Sequence, residues 1–336
     1  MPMTLTAPAT ARTHRLPGVS GPADAWRPTL LLREQIPADG DRSRPVLYVH
    51  GATFPSDASV MFRFEGASWA DNLNAAGFDV FGLDFAGYGG SERYPAMQAP
   101  PAQNPPLGRA IVVADQIARA VRLILRETSA PRISIIAHSW GSMAAGRFAG
   151  QNPELMDRLV LFGPITRRDG PASPDPVPAW RDITVAQQHA RFIAEVPAGA
   201  AQVIVEADFP RWAQTWLAAD PASSTRTPPS VRTPSGPAAD VAEAWSGRLP
   251  YDPALIRAPT LIVRGEWDTL CTDADAAGLR AELTGAPEVC DHKIPRGTHL
   301  MHLEAGRKPL YAAARAFLKG GRPGGLISAP MSPSPD

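Results

Sequence analysis

The chain has 336 residues, 44 % hydrophobic and 20 % charged, enough apolar material for one large α/β core with room for an insertion. Its 33 basic and 33 acidic residues cancel to a formal net charge of zero, so no charge imbalance marks it for nucleic acid or an anionic membrane. The two cysteines, Cys271 and Cys290, make neither a disulfide framework nor a metal-ligand spacing, and are expected as buried free thiols rather than as a bridge.

The opening "MPMTLTAPATARTHRLPG" lacks the apolar run of a secretory leader, and no stretch reaches the roughly 18 apolar residues of a membrane span. The expectation is a cytoplasmic protein without a membrane partner; nothing in the sequence sets an oligomeric state. "THRLPG" and "TLLLREQI" (29–36) read as an antiparallel edge. Continuous apolar runs follow at "PVLYVHG" (45–51), "FDVFGLDFAGYGGS" (78–91), "RISIIA" (132–137), "DRLVLFGP" (157–164), "APTLIVRGEWD" (258–268) and "VCDHKIPRGTH" (289–299). Runs of this kind suit strands buried on both faces.

Helical patterns fall between them. In 107–128, Ile111, Ala114, Ala118, Val121 and Leu125 recur at three- and four-residue steps as one apolar stripe. Leu310, Ala314 and Phe317 do the same after Pro309, a residue suited to a first helical turn. Strands alternating with helices predict a mostly parallel sheet.

The 37 prolines, about twice the usual share, cluster at 94–106, 171–178 and 227–237, all expected as loops. Residues 165–258 break the rhythm. They show no clear buried strand but hold Trp180, Phe192, Trp212, Trp216 and Trp245, with helices expected near 184–195 and 209–219. "AQVIVEAD" (201–208) fits either strand or helix. The domain reading is a core of 1–164 and 259–325, a cap or lid over 165–258, and an unstructured tail at 326–336. The cap aromatics are either its own core or substrate contacts.

In a parallel sheet the strand C-termini share one edge, where ligands bind. Those ends carry His50-Gly51, Asp84, Ser139, Asp268 and, after the last strand, His299. Ser139 sits in "AHSWGS", between a strand and a helix opening "SMAAGRFAG". Residues two before and two after a nucleophile in a sharp turn must be small, and Ala137 and Gly141 are. A serine hydroxyl needs a base, and the base an orienting acid. Asp268 ends "RGEWD", and His299 follows 31 residues later in "PRGTHLMHLE". Glu266 is the rival acid and His302 the rival base; His299 is preferred because it lies directly after Gly297. His138 points elsewhere in such an elbow, His50 belongs to the turn of "HGATF", and His292 lies within a strand. The backbone N–H groups of Ala52 and Trp140, with Thr53 as alternative to Ala52, are the candidate oxyanion donors.

"HGATF", "LDFAGYGGSE" (83–92), "AHSWGS", "RGEWD" and "GTHLMHLE" together resemble the α/β-hydrolase superfamily. The resemblance covers roughly 40–165 and 255–320. It implies an eight-stranded, mostly parallel sheet and a Ser139–Asp268–His299 triad that needs no metal or organic cofactor. The departures are Ala137 for the first glycine of the nucleophile pattern and Ser142 for a frequent glycine after it. A serine nucleophile argues against haloalkane dehalogenases and epoxide hydrolases of that superfamily.

The expected activity is hydrolysis of a small carboxylic ester, or of a thioester, lactone or amide, through an acyl-enzyme. Trp140 and Phe54 are expected to wall the acyl pocket and its entrance. The aromatic, proline-rich cap points to an apolar substrate. Acyl transfer, C–C bond hydrolysis and perhydrolysis on the same triad are alternatives, as is a binding protein on a catalytically dead core.

Overall fold

The computed structural model describes residues 10–20, 26–172 and 175–322, and the tail expected at 326–336 lies outside the described residues. Ten strands run in chain order as β1 (Thr10–Leu16), β2 (Leu30–Ile36), β3 (Pro45–Val49), β4 (Asp79–Asp84), β5 (Ile133–His138), β6 (Met156–Phe162), β7 (Trp180–Thr184), β8 (Ser230–Pro234), β9 (Thr260–Gly265) and β10 (Val289–Ile294). Eight of them form one sheet in the order β1-β2-β4-β3-β5-β6-β9-β10; β7 and β8 pair separately. β1, β2 and β4 are antiparallel neighbours, and every pair from β4 through β3, β5, β6 and β9 to β10 is parallel. The sequence expectation of an antiparallel edge on a mostly parallel sheet therefore describes the observed topology. β3, β4, β5 and β9 are buried along their whole length, which is why they read as unbroken apolar runs.

The helices are α1 (Trp69–Asn74), α2 (Ala110–Thr128), α3 (Gly141–Gln151), α4 (Val185–Ile193), α5 (Phe209–Ala218), α6 (Gly236–Ala244), α7 (Asp273–Glu282) and α8 (Lys308–Leu318). α2 and α3 pack with Leu47, Ile135 and Leu161 in one cluster; α1 and α8 pack with Val46, Val160 and Leu261 in another. Burying each such aliphatic or aromatic side chain contributes about 1.5–3 kcal/mol. α8 carries Pro309 in its first turn and buries Leu310, Ala314 and Phe317 as the periodicity predicted.

The predicted stripe on α2 holds at Ala114, Ala118 and Val121, which are buried, and needs correction at its start. Ile111 is 53 % exposed, and the buried face runs through Val113, Ile117, Val121 and Ile124. The run Ile111-Val112-Val113 offers several registers at the same spacing, and only the sheet selects one.

Residues 165–258 depart furthest from expectation. β7 and β8 are an antiparallel pair that the proline count concealed. The stretch 227–237, expected as loop, contains β8 because its prolines lie at or beyond the strand's ends, where no ladder N–H is lost. Residues 201–208 are neither strand nor helix, although Val203 and Ile204 are buried. The helices expected near 184–195 and 209–219 appear as α4 and α5, and α6 was not foreseen. Phe192, Trp212 and Trp216 pack with Phe54, Phe62, Leu300 and Leu303 in a third cluster that ties this insertion to the sheet's loops. Trp212 Nε1 donates to Ala58 O (2.8 Å) and Trp216 Nε1 to Thr53 O (3.1 Å), so both indoles have their polar edge satisfied inside that core.

Candidate functional site

Ser139 follows directly on β5, and its N–H still donates to Phe162 O of β6 (2.9 Å). The backbone then reverses into α3 with Ser139 at φ +55°, a left-handed conformation that costs a non-glycine residue about 1–3 kcal/mol. Gly141 has a sharper reason to be small than the turn alone. A Cβ there would strike the backbone carbonyl of His50, at the end of β3. A Cβ on Gly51 would in turn lie 3.1 Å from the Ser139 Cβ. The loop after β3 and the Ser139 turn are thus in direct backbone contact, whereas Ala137 sits fully buried within β5.

His299 Nε2 is 2.7 Å from Ser139 Oγ, and His299 Nδ1 is 3.0 Å from both carboxylate oxygens of Asp268. All three residues are buried. β9 ends at Gly265, so Asp268 lies in the turn beyond the strand, where its Oδ1 also accepts the N–H groups of Leu270 and Cys271 (2.9 Å each). Neither the Ala52 nor the Trp140 N–H makes a hydrogen bond among the described residues. The Thr53 N–H, the alternative to that of Ala52, likewise makes no hydrogen bond among the described residues, while its Oγ1 accepts from Arg191 (2.7 Å).

The rivals are placed elsewhere. The Glu266 carboxylate accepts the Arg296 N–H (2.8 Å) at an exposed turn. His138 Nε2 contacts the His299 carbonyl (3.0 Å), with its ring stacked on Phe162. His50 accepts the Phe85 N–H at Nε2 (3.2 Å), leaving Nδ1 to donate to Gly51 O (2.7 Å). His302 lies 4.5 Å from the His138 ring, and neither of its ring nitrogens has a partner. Burial pushes His138 and His302 well below the usual imidazole range, helped by His299 and Arg191 nearby, and holds His50 at about 4.

These histidines carry a pH prediction. Unfolded, each takes up a proton below its ordinary value near 6.5, while the folded form resists it. Stability is therefore fully present above about 6.5 and falls as pH drops below it, by about 1.4 kcal/mol per pH unit per histidine. A His302→Leu variant should show a shallower acid loss of stability by about one such slope, read from urea midpoints between pH 6.5 and 5.

Phe54 requires correction. It is buried edge-on to Trp212 at 5.0 Å, in the insertion's aromatic core and away from the cavity wall. The cavity beside Ser139 measures about 710 Å³, the size of a small-ligand site. Trp140 does line it, with the indole held by Nε1 donating to Asp240 Oδ2 of α6 (2.8 Å). Trp245 lines it too, whereas Phe192, Trp212 and Trp216 do not. The apolar lining from 165–258 is mainly aliphatic, with Ile183, Val241 and Ala242 beside Trp245, and Arg181, Asp182, Gln188 and Arg191 face the cavity as well. Among the described residues, no group of three His, Cys, Asp or Glu side chains is arranged to hold a metal ion. Cys271 and Cys290 are separate buried thiols.

Three further residues escaped sequence reasoning. Glu195 accepts the His299 N–H (2.6 Å) and the Thr269 N–H (2.9 Å), bracing both loops. Asp240 receives the Trp140 indole together with the Ala110 N–H (2.6 Å) and Arg109. Gly163, after β6 at φ +50°, leaves the space in which Asp268 meets His299. A methyl there would lie 3.0 Å from Asp268 Oδ2 and 3.1 Å from His299 Nδ1. Gly163→Ala is expected to lower kcat by about 10–100-fold by displacing that pair, for a stability loss of only about 1 kcal/mol. Parallel kinetics and thermal melting check it. The sequence signal was present, since a glycine closes a strand at the ligand-binding edge, but its partners are 105 and 136 residues away.

No helix among the described residues is long and apolar enough to cross a membrane. A search of curated proteins returned no match. Among solved structures, the chain is similar to the thioesterase domain of the curacin biosynthetic pathway, with TM-score 0.59 and 16 % identity over 92 % of this chain and 99 % of that one. It is similar to a serine hydrolase of the polyaromatic-hydrocarbon-degrading bacterium Cycloclasticus zankles, with TM-score 0.57 and 13 % identity over 93 % and 99 %. It is also similar to a malate-bound thermophilic esterase from Thermogutta terrifontis, with TM-score 0.54 and 18 % identity over 92 % and 98 %. Identities this low speak for the fold alone. The family model for the alpha/beta hydrolase fold matches residues 44–305, from β3 to just past His299, and the chain belongs to that family.

Proposed function

We propose that this α/β hydrolase cleaves small carboxylic esters through Ser139, His299 and Asp268. The observation that carries the reading is the continuous chain from Ser139 Oγ through His299 to the Asp268 carboxylate, opening on a cavity. His299 Nε2 takes the Ser139 proton as Oγ attacks the ester carbonyl, and Asp268 keeps the remaining ring proton on Nδ1 and offsets the imidazolium charge. The Ala52 and Trp140 N–H groups, which no other group occupies, receive the oxyanion. The acyl–oxygen bond then breaks and the imidazolium protonates the departing alkoxide. Water, deprotonated by His299, hydrolyses the acyl-enzyme, so that ester and water become carboxylic acid and alcohol.

Residues 165–258 act as the cap in this reading. The support is that α4, α6 and β7 all contribute residues to the cavity wall facing Ser139. The test is covalent labelling by a fluorophosphonate probe. The parent protein should label stoichiometrically, and Ser139→Ala should not; labelling that persists in the variant rejects the assignment.

A further inference from the structure

Two arginines, Arg181 and Arg191, line the cavity together with one acid, Asp182. Several arginines elsewhere meet carboxylates: Arg33 with Asp57 (2.9 Å) and Asp84 (2.5 Å), Arg168 with Asp275 (2.7 Å), and Arg226 with Asp220 (2.7 Å); others, such as Arg147, bond backbone carbonyls instead. Arg181 and Arg191, which both line the cavity with Ser139, have no carboxylate in contact among the described residues. The one hydrogen bond recorded for Arg191 goes to Thr53 Oγ1 (2.7 Å), which occupies a single donor of its planar fork. The acids nearby are already engaged. Asp182 is bound by Arg232 (2.9 Å) and Arg226 (3.6 Å), and Glu195 holds the N–H groups of His299 and Thr269. Burial, together with the like charge of Arg181, pushes the Arg191 guanidinium down to about 10, and Glu195 offsets this only in part. Arg191 and Arg181 line the same cavity as Ser139, so an anionic group bound there would lie beside two guanidinium groups.

We infer that the substrate carries a free carboxylate, received by Arg191 with Arg181 beside it, while its ester group lies at Ser139. The inference rests on the hydrolase reading and narrows its substrates to half-esters of small dicarboxylic acids. Arginine is suited to this because its fork pairs with both oxygens of a carboxylate. Thr53 places Arg191 one residue from the Ala52 N–H, so the recognised carboxylate and the reacting carbonyl fall within one small molecule. The cavity volume of about 710 Å³ accommodates such a substrate.

Hydrolysis of monomethyl adipate and of dimethyl adipate, followed by titration of released acid, tests this directly. The parent should favour the half-ester by at least tenfold in kcat/KM. In Arg191→Gln that ratio should fall at least tenfold, chiefly through KM, with part of it restored in Arg191→Lys. Arg181→Gln, on an exposed residue, should lower the ratio less and tests the idea without disturbing the interior. A parent without preference for the half-ester, or a ratio unchanged in both glutamine variants, overturns the inference. A readout free of turnover separates this failure from failure of the hydrolase reading. Adipate should bind Ser139→Ala by calorimetry, and Arg191→Gln in that background should weaken it at least tenfold. Adipate binding without ester turnover or probe labelling would reject the hydrolase and keep the carboxylate site. Inorganic phosphate binding as tightly as adipate would overturn the assignment to a carboxylate.

Discussion

Ser139→Ala is expected to lower kcat on a cleavable ester by on the order of 10⁶-fold, leaving only what cavity binding and the oxyanion donors supply without a nucleophile. The recorded side-chain hydrogen bond of Ser139 is the one to His299 Nε2, so its loss should leave the fold and melting temperature close to the parent's. Ser139→Gly makes a complementary case. At φ +55° serine is strained and glycine is not, so the glycine variant should be equally inactive yet more stable by about 1 kcal/mol. Gain of stability with loss of chemistry is what a strained nucleophile predicts; a serine merely filling a turn predicts the first without the second. Retention of more than about one hundredth of the parent kcat in Ser139→Ala would dismiss the nucleophile assignment.

The parts of the fold that were legible in the sequence are those fixed by local chemistry. Val46–Val49 and Ile133–Ile136 are buried on both faces, so they read as unbroken apolar runs whatever their neighbours. "AHSWGS" combined a strand end, small residues and a helix start within a few positions. The parts that stayed hidden depend on partners far along the chain. β8 lies among prolines and gains its identity only by pairing with β7, some 50 residues earlier. Ile111 and Val113 are equally apolar, and the sheet alone decides which is buried. Phe54 was expected at an entrance because it follows "HGAT"; Trp212 and Trp216, remote in sequence, enclose it instead. The same holds at the candidate site. Ser139, Asp268 and His299 were singled out by residue type and order, whereas Glu195, Asp240, Gly163 and Arg191 act through contacts that no local pattern encodes. A charged side chain facing a cavity also has the same sequence appearance as one facing solvent, which is why Arg181 and Arg191 went unnoticed.

Asp268→Asn should lower kcat by about 10⁴-fold while leaving the fold intact, and the hydrogen bonds around this carboxylate explain the size of the effect. Oδ1 accepts from the Leu270 and Cys271 N–H groups, both fixed by the turn after β9. In the asparagine variant those donors still require an acceptor, so the amide oxygen stays with them and the NH₂ group takes the place of Oδ2. That NH₂ faces His299 Nδ1, which must then accept a hydrogen bond. The ring proton moves to Nε2, where it points at Ser139 Oγ and leaves no lone pair to take the serine proton. The loss thus comes from the wrong tautomer, with the geometry preserved, and both kcat and kcat/KM should fall together while the melting temperature changes little. Glu266→Gln provides the contrast. Its carboxylate holds a backbone N–H at an exposed turn, and activity there should stay within about twofold of the parent. If Asp268→Asn keeps a tenth or more of the parent kcat, Asp268 is a turn cap that happens to touch His299. If Glu266→Gln proves the more damaging change, the orienting acid lies two residues earlier than the structure's hydrogen bonds indicate.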